Sequence, residues 1–144
     1  MQKVVLDTNL WVDFFRYARH EDIVLRRGVV KYLSAVVLME LRAGVRSARD
    51  RKKLEQFTSV FRTANRILVP SAAVYEEAGL LLGRLRTEGR EVTAMVNDVL
   101  IALSARAIGA IVVTQNRSDF LAIRKLRRFR LTLIGDGAQQ GDEI

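Results

Sequence analysis

Short apolar runs alternate with longer amphipathic segments along the chain. Five runs rich in Val, Ile and Leu are bounded by polar or turn-forming residues, which is typical of short buried strands. Between them, apolar residues recur every three or four positions and predict amphipathic helices. This alternation predicts an α/β fold in which a mainly parallel sheet of about five short strands is flanked by helices on both faces. The predicted strands are residues 3–6, 29–33, 67–69, 110–114 and 131–134.

Capping and composition mark where the predicted helices begin and where the domain ends. Ser34 is a good N-cap for a helix over residues 35–45, and Ser118 for a short helix before the last strand. The polar, Gly-rich residues 135–144 predict a flexible tail after a single domain over residues 1–134. One predicted helix follows the polar group at residues 7–9, and the others cover residues 35–45, 50–64, 74–85, 93–108 and 118–126.

Composition restricts the available chemistry to oxygen ligands. The 144 residues include no Cys and a single His, His20. The absence of Cys excludes disulfides, thiolate zinc sites, iron–sulfur clusters and a cysteine nucleophile. One His cannot build a multi-His zinc site, and a Ser-His-Asp triad would depend on His20 alone.

The charge balance favours a polyanionic partner. The chain has 24 Lys and Arg against 16 Asp and Glu, a net charge of +8, and 19 of the 24 basic residues are Arg. Because the planar Arg side chain matches phosphate geometry, this excess favours nucleic acid; a solvated basic surface or an acidic protein partner is the alternative. No apolar stretch is long enough to span a bilayer and the N-terminus lacks a signal peptide, so we expect a cytoplasmic protein without membrane contact.

Four acidic residues stand where a merely solvated charge is not expected. Asp7 directly follows the first predicted strand and Asp119 lies shortly after the fourth, at the edge where open parallel sheets bind ligands. Helix capping by Asp7 and a first-turn position for Asp119 are the alternative interpretations. Glu40 and Asp98 lie in mid-helix on apolar faces, so each must pair with a cation, take up a proton or bind a metal ion. A salt bridge to an Arg is the alternative there.

If these four carboxylates meet, a divalent cation is needed to offset their repulsion. Four ionised groups about 5 Å apart at an effective dielectric of about 20 repel by roughly 20 kcal/mol in total. Hard cations with oxygen ligands, Mg²⁺ or Mn²⁺, remove this repulsion and also bind substrate phosphate. An acidic cluster on an Arg-rich body is therefore the expected layout of a metal-dependent phosphodiesterase.

Four motifs around these acids resemble those of the PIN-domain ribonucleases, specifically the VapC-type toxins of bacterial and archaeal toxin–antitoxin pairs. V-L-D-T-N at residues 5–9 resembles the first acidic motif of the family, and E-L-R-A-G at residues 40–44 resembles its E-L-x-x-G. N-D-V-L-I-A at residues 97–102 is similar to its D-x-x-I-A-A segment, and T-Q-N-R-S-D-F at residues 114–120 matches its T-x-N-x-x-D-F. The resemblance covers residues 4–134.

This resemblance implies a PIN-like three-layer sandwich that hydrolyses RNA phosphodiester bonds. Water activated by one or two bound Mg²⁺ or Mn²⁺ ions is the implied nucleophile. The residues implied to be both catalytic and metal-binding are Asp7, Glu40, Asp98 and Asp119. Polar neighbours have the hydroxyls and amides to orient those carboxylates, with turn formation and capping as the alternative role. These neighbours are Thr8, Asn9, Thr114 and Asn116.

Partners are implied by the same resemblance. It implies a homodimer, or a heterotetramer or larger assembly, together with a VapB-like antitoxin whose C-terminal segment blocks the acidic pocket. Arginines close to the acids in sequence are candidates for contact with the RNA backbone. These candidates are Arg16, Arg42, Arg46 and Arg117.

Other protein classes fit these residues less well. A haloacid-dehalogenase-like phosphatase needs a second Asp two positions after the first, where this chain has Asn9. A response-regulator receiver needs an acidic pair after its first strand, whereas Asp7 stands alone. The remaining alternative is a noncatalytic RNA-binding or scaffold protein with the same fold, and the retention of all four acids argues against it.

Overall fold

Strands and helices alternate along the chain, as the apolar pattern predicts. The computed structural model describes residues 1–135 and 139–144. In chain order the elements are β1 (Gln2–Leu6), α1 (Thr8–Tyr17), α2 (Glu21–Val24), β2 (Val29–Ser34), α3 (Ala35–Gly44), α4 (Ala48–Thr63), β3 (Ile67–Leu68), α5 (Ala72–Thr87), α6 (Val96–Ala107), β4 (Ile111–Thr114), α7 (Arg117–Leu126), β5 (Arg130–Ile134) and β6 (Gln139–Gly141). A single 3₁₀ turn, Thr93–Met95, precedes α6.

The described strands form one sheet in the order β3-β2-β1-β4-β5-β6. The first five strands in this order are parallel, whereas β6 at the edge is antiparallel to β5. β1 and β4 lie side by side in the middle, with Leu6 paired with Val113. Every residue of β4 is buried, which explains its unbroken apolar sequence, because helices cover both faces of such a sheet. The predicted α/β fold with a mainly parallel sheet is confirmed.

Helices on both faces give the molecule three layers. Connections between parallel strands cross over with a right hand, so the helices between β1 and β3 lie on one face and those between β3 and β5 on the other. Contacts agree with this division, because α3 packs against α1 and α4, and α6 packs against α5 and α7. In the first layer, the rings of Trp11 and Phe57 join α1 to α4 with centroids 4.7 Å apart. None of the helices that the structure describes is long and apolar enough to cross a membrane.

Capping side chains set the helix boundaries near the crevice described below. Ser34 caps α3 as predicted, because its Oγ accepts hydrogen bonds from two backbone N–H groups of the first turn at 3.1 and 3.4 Å. The predicted cap Ser118 is wrong. Helix α7 begins at Arg117, and its N-cap is Asn116, whose Oδ1 accepts from the N–H of Asp119 at 3.3 Å. The single-turn helix α2 was not predicted, because four residues are too few to show helical periodicity.

The C-terminal segment differs from the flexible tail that its composition predicts. β6 pairs with β5, and the N–H of Asp142 donates to the Leu131 carbonyl at 2.9 Å while its Oδ2 accepts from the Leu131 N–H at 2.8 Å. Gly141 has a φ of +117°, and a Cβ there would lie 2.1 Å from the Leu131 carbonyl oxygen, so this pairing needs Gly. The polar composition of this segment did not predict a strand, because β6 is held by backbone hydrogen bonds to the open edge of β5 and not by burial of apolar side chains. Residues 136–138 of the predicted tail lie outside the described residues.

Candidate active site

Four sequence-predicted acids face one crevice at the carboxyl edge of the sheet. Asp7 is the first residue after β1, and its N–H donates to the carbonyl of Val113 in β4 at 2.9 Å. Asp119 lies in the first turn of α7, which follows β4. Glu40 and Asp98 come from α3 and α6, two helices of different layers that contact each other. The structure therefore brings together residues that are up to 112 positions apart, from Asp7 to Asp119.

Asp7 is the most deeply placed of the four carboxylates, with 5% of its surface exposed. Its Oδ1 accepts from the N–H of Thr8 at 2.8 Å, and its Oδ2 accepts from the Thr114 hydroxyl at 2.6 Å. Burial raises the pKa of Asp7, and the hydrogen bonds from Thr114 and Thr8 oppose that rise. One oxygen thus caps α1, so helix capping and a place in the acidic crevice are compatible roles for this side chain.

Glu40 lies beside Asp7 and shares a bridging residue with it. The hydroxyl of Thr8 donates to Glu40 Oε1 at 2.9 Å. Burial is the main cause that raises the pKa of Glu40, and the negative charge of Asp7 adds to it. Hydrogen bonds from Thr8 and Asn97 oppose the rise. Asn97 was not among the sequence-predicted site residues, although it immediately precedes Asp98 in the third motif.

Asp98 has the most strongly perturbed acid–base equilibrium of the cluster. Burial, followed by the charges of Asp7, Asp119 and Glu40, raises the pKa of Asp98 to about 7. A hydrogen bond from Asn116 opposes this rise. Because three separate carboxylates disfavour its ionised form, Asp98 is at the centre of the negative potential in the crevice.

Asn116 holds two of the acids together. Its Nδ2 donates to Asp98 Oδ2 and to Asp119 Oδ2, each at 3.1 Å. Its own N–H donates to the Thr114 hydroxyl at 3.0 Å, which in turn donates to Asp7. These contacts form one hydrogen-bonded chain across three of the four acids, and they support a positioning role for Asn116 and Thr114.

Arg90 is a site residue that the sequence did not reveal. It follows α5, and its Nη1 lies 3.4 Å from Asp119 Oδ1. Arg90 is 29 positions from Asp119 along the chain. The arginine candidates were chosen because they lie close to the four acids in sequence, so Arg90 was not among them. Within residues 1–135 and 139–144, no Arg or Lys forms an ion pair with Glu40 or Asp98, so the salt bridge considered for those two acids is not observed there.

The donor set suits a hard divalent cation, but its oxygens are not gathered into a ready-made site. Across the described part of the chain, no group of three or more Asp, Glu or His side chains stands in position to hold a metal ion. Neutral donors occupy carboxylate oxygens instead: Thr8 on Glu40, and Asn116 on Asp98. Carboxylate oxygens are the preferred ligands of Mg²⁺ and Mn²⁺, so these residue types fit such ions chemically.

The remaining sequence-predicted candidates, Asn9 and four arginines, differ in their surroundings. Asn9 is exposed and forms no hydrogen bond to the acids among the described residues, unlike the three neighbours above. Arg16 lines a groove of about 220 Å³ that Glu40 also borders. Arg42 is ion-paired to a Glu of α4 at 2.6 Å, and Arg117 Nη1 donates to a Gln of β6 at 3.0 Å. Arg46 is exposed on the connection between α3 and α4.

Comparison with known proteins shows which family the chain belongs to. A search of curated proteins gives no match. Among solved structures, the chain is similar to FitAcB from Neisseria gonorrhoeae, with 25% identity and a TM-score of 0.66 over 83% of this chain and 92% of that one. It is similar to DNA-bound VapBC from Salmonella typhimurium, with 24% identity and a TM-score of 0.68 over 91% and 97%.

A third structure is a member of the VapBC family of toxin–antitoxin systems, VapBC-5 from Mycobacterium tuberculosis. It shares 22% identity and a TM-score of 0.61 over 93% of this chain and 100% of that one. At these identities the structures show a common fold. The family model for the PIN domain matches residues 4–126, which contain all four acids of the crevice. The chain therefore belongs to the PIN-domain family.

Proposed function

We propose that this protein is a Mg²⁺- or Mn²⁺-dependent endoribonuclease that acts as the toxin of a type II toxin–antitoxin pair. The observation that carries the proposal is the convergence of four acids from four separate motifs, with the pKa of Asp98 raised to about 7 by burial and its neighbours. PIN domains are generally nucleases. The net charge of +8 suits an RNA substrate, since phosphate contacts dominate binding to nucleic acid.

In this proposal the four acids hold one or two divalent ions, and polar neighbours set their orientation. A bound ion supplies Lewis-acid activation of water and offsets charge on the scissile phosphate. Thr114 and Thr8 hold Asp7 and Glu40 through hydrogen bonds of 2.6 and 2.9 Å. Asn116 fixes the spacing of the other two acids, and Arg90 places a positive charge at the rim. Because hydrolysis uses water directly, no side chain acts as a covalent nucleophile.

We further propose a VapB-like antitoxin as partner and a homodimer as the basic assembly. The structures compared above include VapBC and FitAcB complexes, which motivates this choice. Apolar residues form the rest of the groove that Arg16, Glu40, Asp50 and Lys53 border, and Phe15 at its side is 50% exposed. An apolar peptide segment that ends in a basic side chain matches this lining, because its charge would meet Glu40.

Cleavage of a mixed RNA pool with and without Mg²⁺ tests the activity. The wild type should cut only with the ion, and Asp7→Asn and Asp98→Asn should each reduce the rate at least a hundredfold, since each removes one anionic ligand. Asp22→Asn is the matched control, because Asp22 is exposed on α2 and lies outside the cluster. RNA binding without cutting under any metal condition would instead favour the noncatalytic scaffold.

A further inference from the structure

A second concave site lies at the amino edge of the sheet, away from the carboxylates. It is a cleft of about 440 Å³ at the start of β4 and β5. Four arginines line it: Arg106 from the end of α6, Arg124 from α7, Arg128 from the connection before β5, and Arg130 at the start of β5. Within the described residues, Asp142 is the only acid in the lining. Four positive charges against one negative charge give this recess a strong net positive charge.

Three of these arginines are held in place by the backbone. Arg106 Nε and Arg124 Nε each donate to a carbonyl of the connection between α7 and β5 at 3.0 Å. Arg130 Nη1 donates to a carbonyl just before β4 at 3.3 Å. A guanidinium has five N–H donors, so each of the three retains donors for a ligand after these bonds. Backbone tethering thus preorganises like charges that would otherwise separate.

Asp142 shows which chemistry the cleft accepts. Its Oδ2 lies 3.6 Å from Arg124 Nη2 and also accepts from a backbone N–H of β5 at 2.8 Å. The cleft thus already contacts one anionic oxygen. This carboxylate offsets the charge of only one of the four guanidinium groups. Planar guanidinium forks match phosphate oxygens in geometry, which makes phosphate the anion best suited to the remaining donors.

The lining favours a nucleic-acid backbone over its bases. Phe129, the aromatic residue of the cleft, is 3% exposed and so offers no face on which a base could stack. Contacts would therefore be made to phosphates, which carry affinity without reading sequence. The four residues of β4 separate this edge from the carboxylates by about 13 Å at about 3.3 Å per residue.

We propose that this arginine cleft binds backbone phosphates of the RNA strand at a distance from the bond that is cut. The inference rests on the proposed function for its choice of RNA as the nucleic acid. The cleft would hold the RNA at the amino edge of the sheet, whereas the four acids lie at the carboxyl edge. RNA affinity and RNA cleavage would therefore depend on different residues.

Binding of a short fluorescent single-stranded RNA to the full chain, measured by anisotropy in a metal chelator, tests this proposal. The double variant Arg106→Gln/Arg128→Gln should bind roughly tenfold more weakly than the wild type. The slope of log affinity against log salt should become shallower by about 0.7 for each phosphate that the variant no longer neutralises. Arg49→Gln/Arg51→Gln is the matched control, because it removes the same charge from exposed positions on α4.

Asp142→Asn provides a test with the opposite sign. Asn keeps an oxygen that can accept the backbone N–H of β5 but removes the only acidic charge of the described lining, so RNA affinity should rise a few-fold. Equal losses of affinity in the cleft variant and the control would mean a general basic surface and would overturn the proposal. Competition by inorganic pyrophosphate with RNA affinity unchanged by the cleft substitutions would mean a small-anion site and would also overturn it.

The outcomes separate this inference from the proposed function. RNA binding that depends on the cleft, without metal-dependent cutting, supports the cleft and contradicts the nuclease. Metal-dependent cutting with RNA affinity insensitive to the cleft substitutions supports the nuclease and contradicts the cleft. Circular dichroism of each variant checks that the fold is retained, and Arg128→Gln alone, whose side chain has no hydrogen bond among the described residues, serves if the double variant fails to fold.

Discussion

Arg90 Nη1 lies 3.4 Å from Asp119 Oδ1, so one of the chain's own cations partly neutralises the acidic crevice. The side chains are 36% and 29% exposed, which leaves the pair accessible to solvent and to competing ions. A divalent ion that bound Asp119 would have to displace this guanidinium or share the carboxylate with it. If Asp119 binds a metal ion as proposed, Arg90 should weaken that binding at one end of the cluster.

Replacing Arg90 by Gln should strengthen metal binding. Loss of a partly exposed ion pair is worth about 1 kcal/mol, so we expect Mn²⁺ affinity measured by isothermal titration calorimetry to rise roughly fivefold. Arg86→Gln, an exposed residue on α5, is the charge-matched control and should leave the affinity unchanged. Unchanged or weaker Mn²⁺ binding by the Arg90 variant would show that the guanidinium does not compete with the ion.

Stability of the metal-free protein should fall between pH 4 and pH 7 because of Asp98. Its pKa is raised from 3.8 to about 7 in the folded state, so the folded chain holds a proton that the unfolded chain has released in this window. Stability is therefore lost as pH rises through the window, and the raised pKa values of Asp7 and Glu40 act in the same direction. Each pKa unit is worth about 1.4 kcal/mol, reduced here by solvent screening.

Asp98→Asn should remove part of this pH dependence. Urea unfolding at pH 5 and pH 8 in a chelator should show a smaller difference in unfolding free energy for the variant, by on the order of 2 kcal/mol. Asp22→Asn should behave as the wild type. An identical pH dependence in Asp98→Asn and the wild type would contradict the electrostatic account of the crevice.

The hydroxyl of Thr114 should be worth about 2 kcal/mol of stability. It is fully buried, donates to Asp7 Oδ2 at 2.6 Å and accepts from the N–H of Asn116 at 3.0 Å. Thr114→Val keeps the shape but leaves a carboxylate oxygen and an amide without this partner, which costs about 1–3 kcal/mol. Chemical denaturation measures the loss, and Thr114→Ser, which keeps the hydroxyl, should recover more than half of it.

Gly141→Ala should detach β6 from the sheet. A Cβ at this position would lie 2.1 Å from the Leu131 carbonyl oxygen, and the backbone φ of +117° is unfavourable for Ala. Hydrogen exchange at the amides of Leu131 and Asp142 should accelerate in the variant while exchange in β1 stays slow. Gly83→Ala is the control, since a Cβ there meets nothing within 4 Å, and a helical Ala stabilises by up to about 1 kcal/mol.

Local patterns were enough to predict most of the elements. The unbroken apolar run of β4 and the cap at Ser34 are read from neighbouring residues, and the structure confirms both. Element β6 was not predictable in this way, because it exists only where Gly141 can approach the open edge of β5. The cap of α7 was misplaced by two residues, because Ser118 and Asn116 are both good caps by residue type and sequence does not distinguish between them.

By itself, the sequence determined the order of the strands and helices other than α2 and β6. It also determined the four acids that follow strands or interrupt apolar faces, since these features depend on spacing within a few residues. Tertiary structure alone decided that Arg90 meets Asp119, that Asn97 meets Glu40, and that four arginines share a cleft. Those contacts join segments brought together by strand order and helix packing. The interactions between these side chains depend on their separation in space, which cannot be read from their separation along the chain.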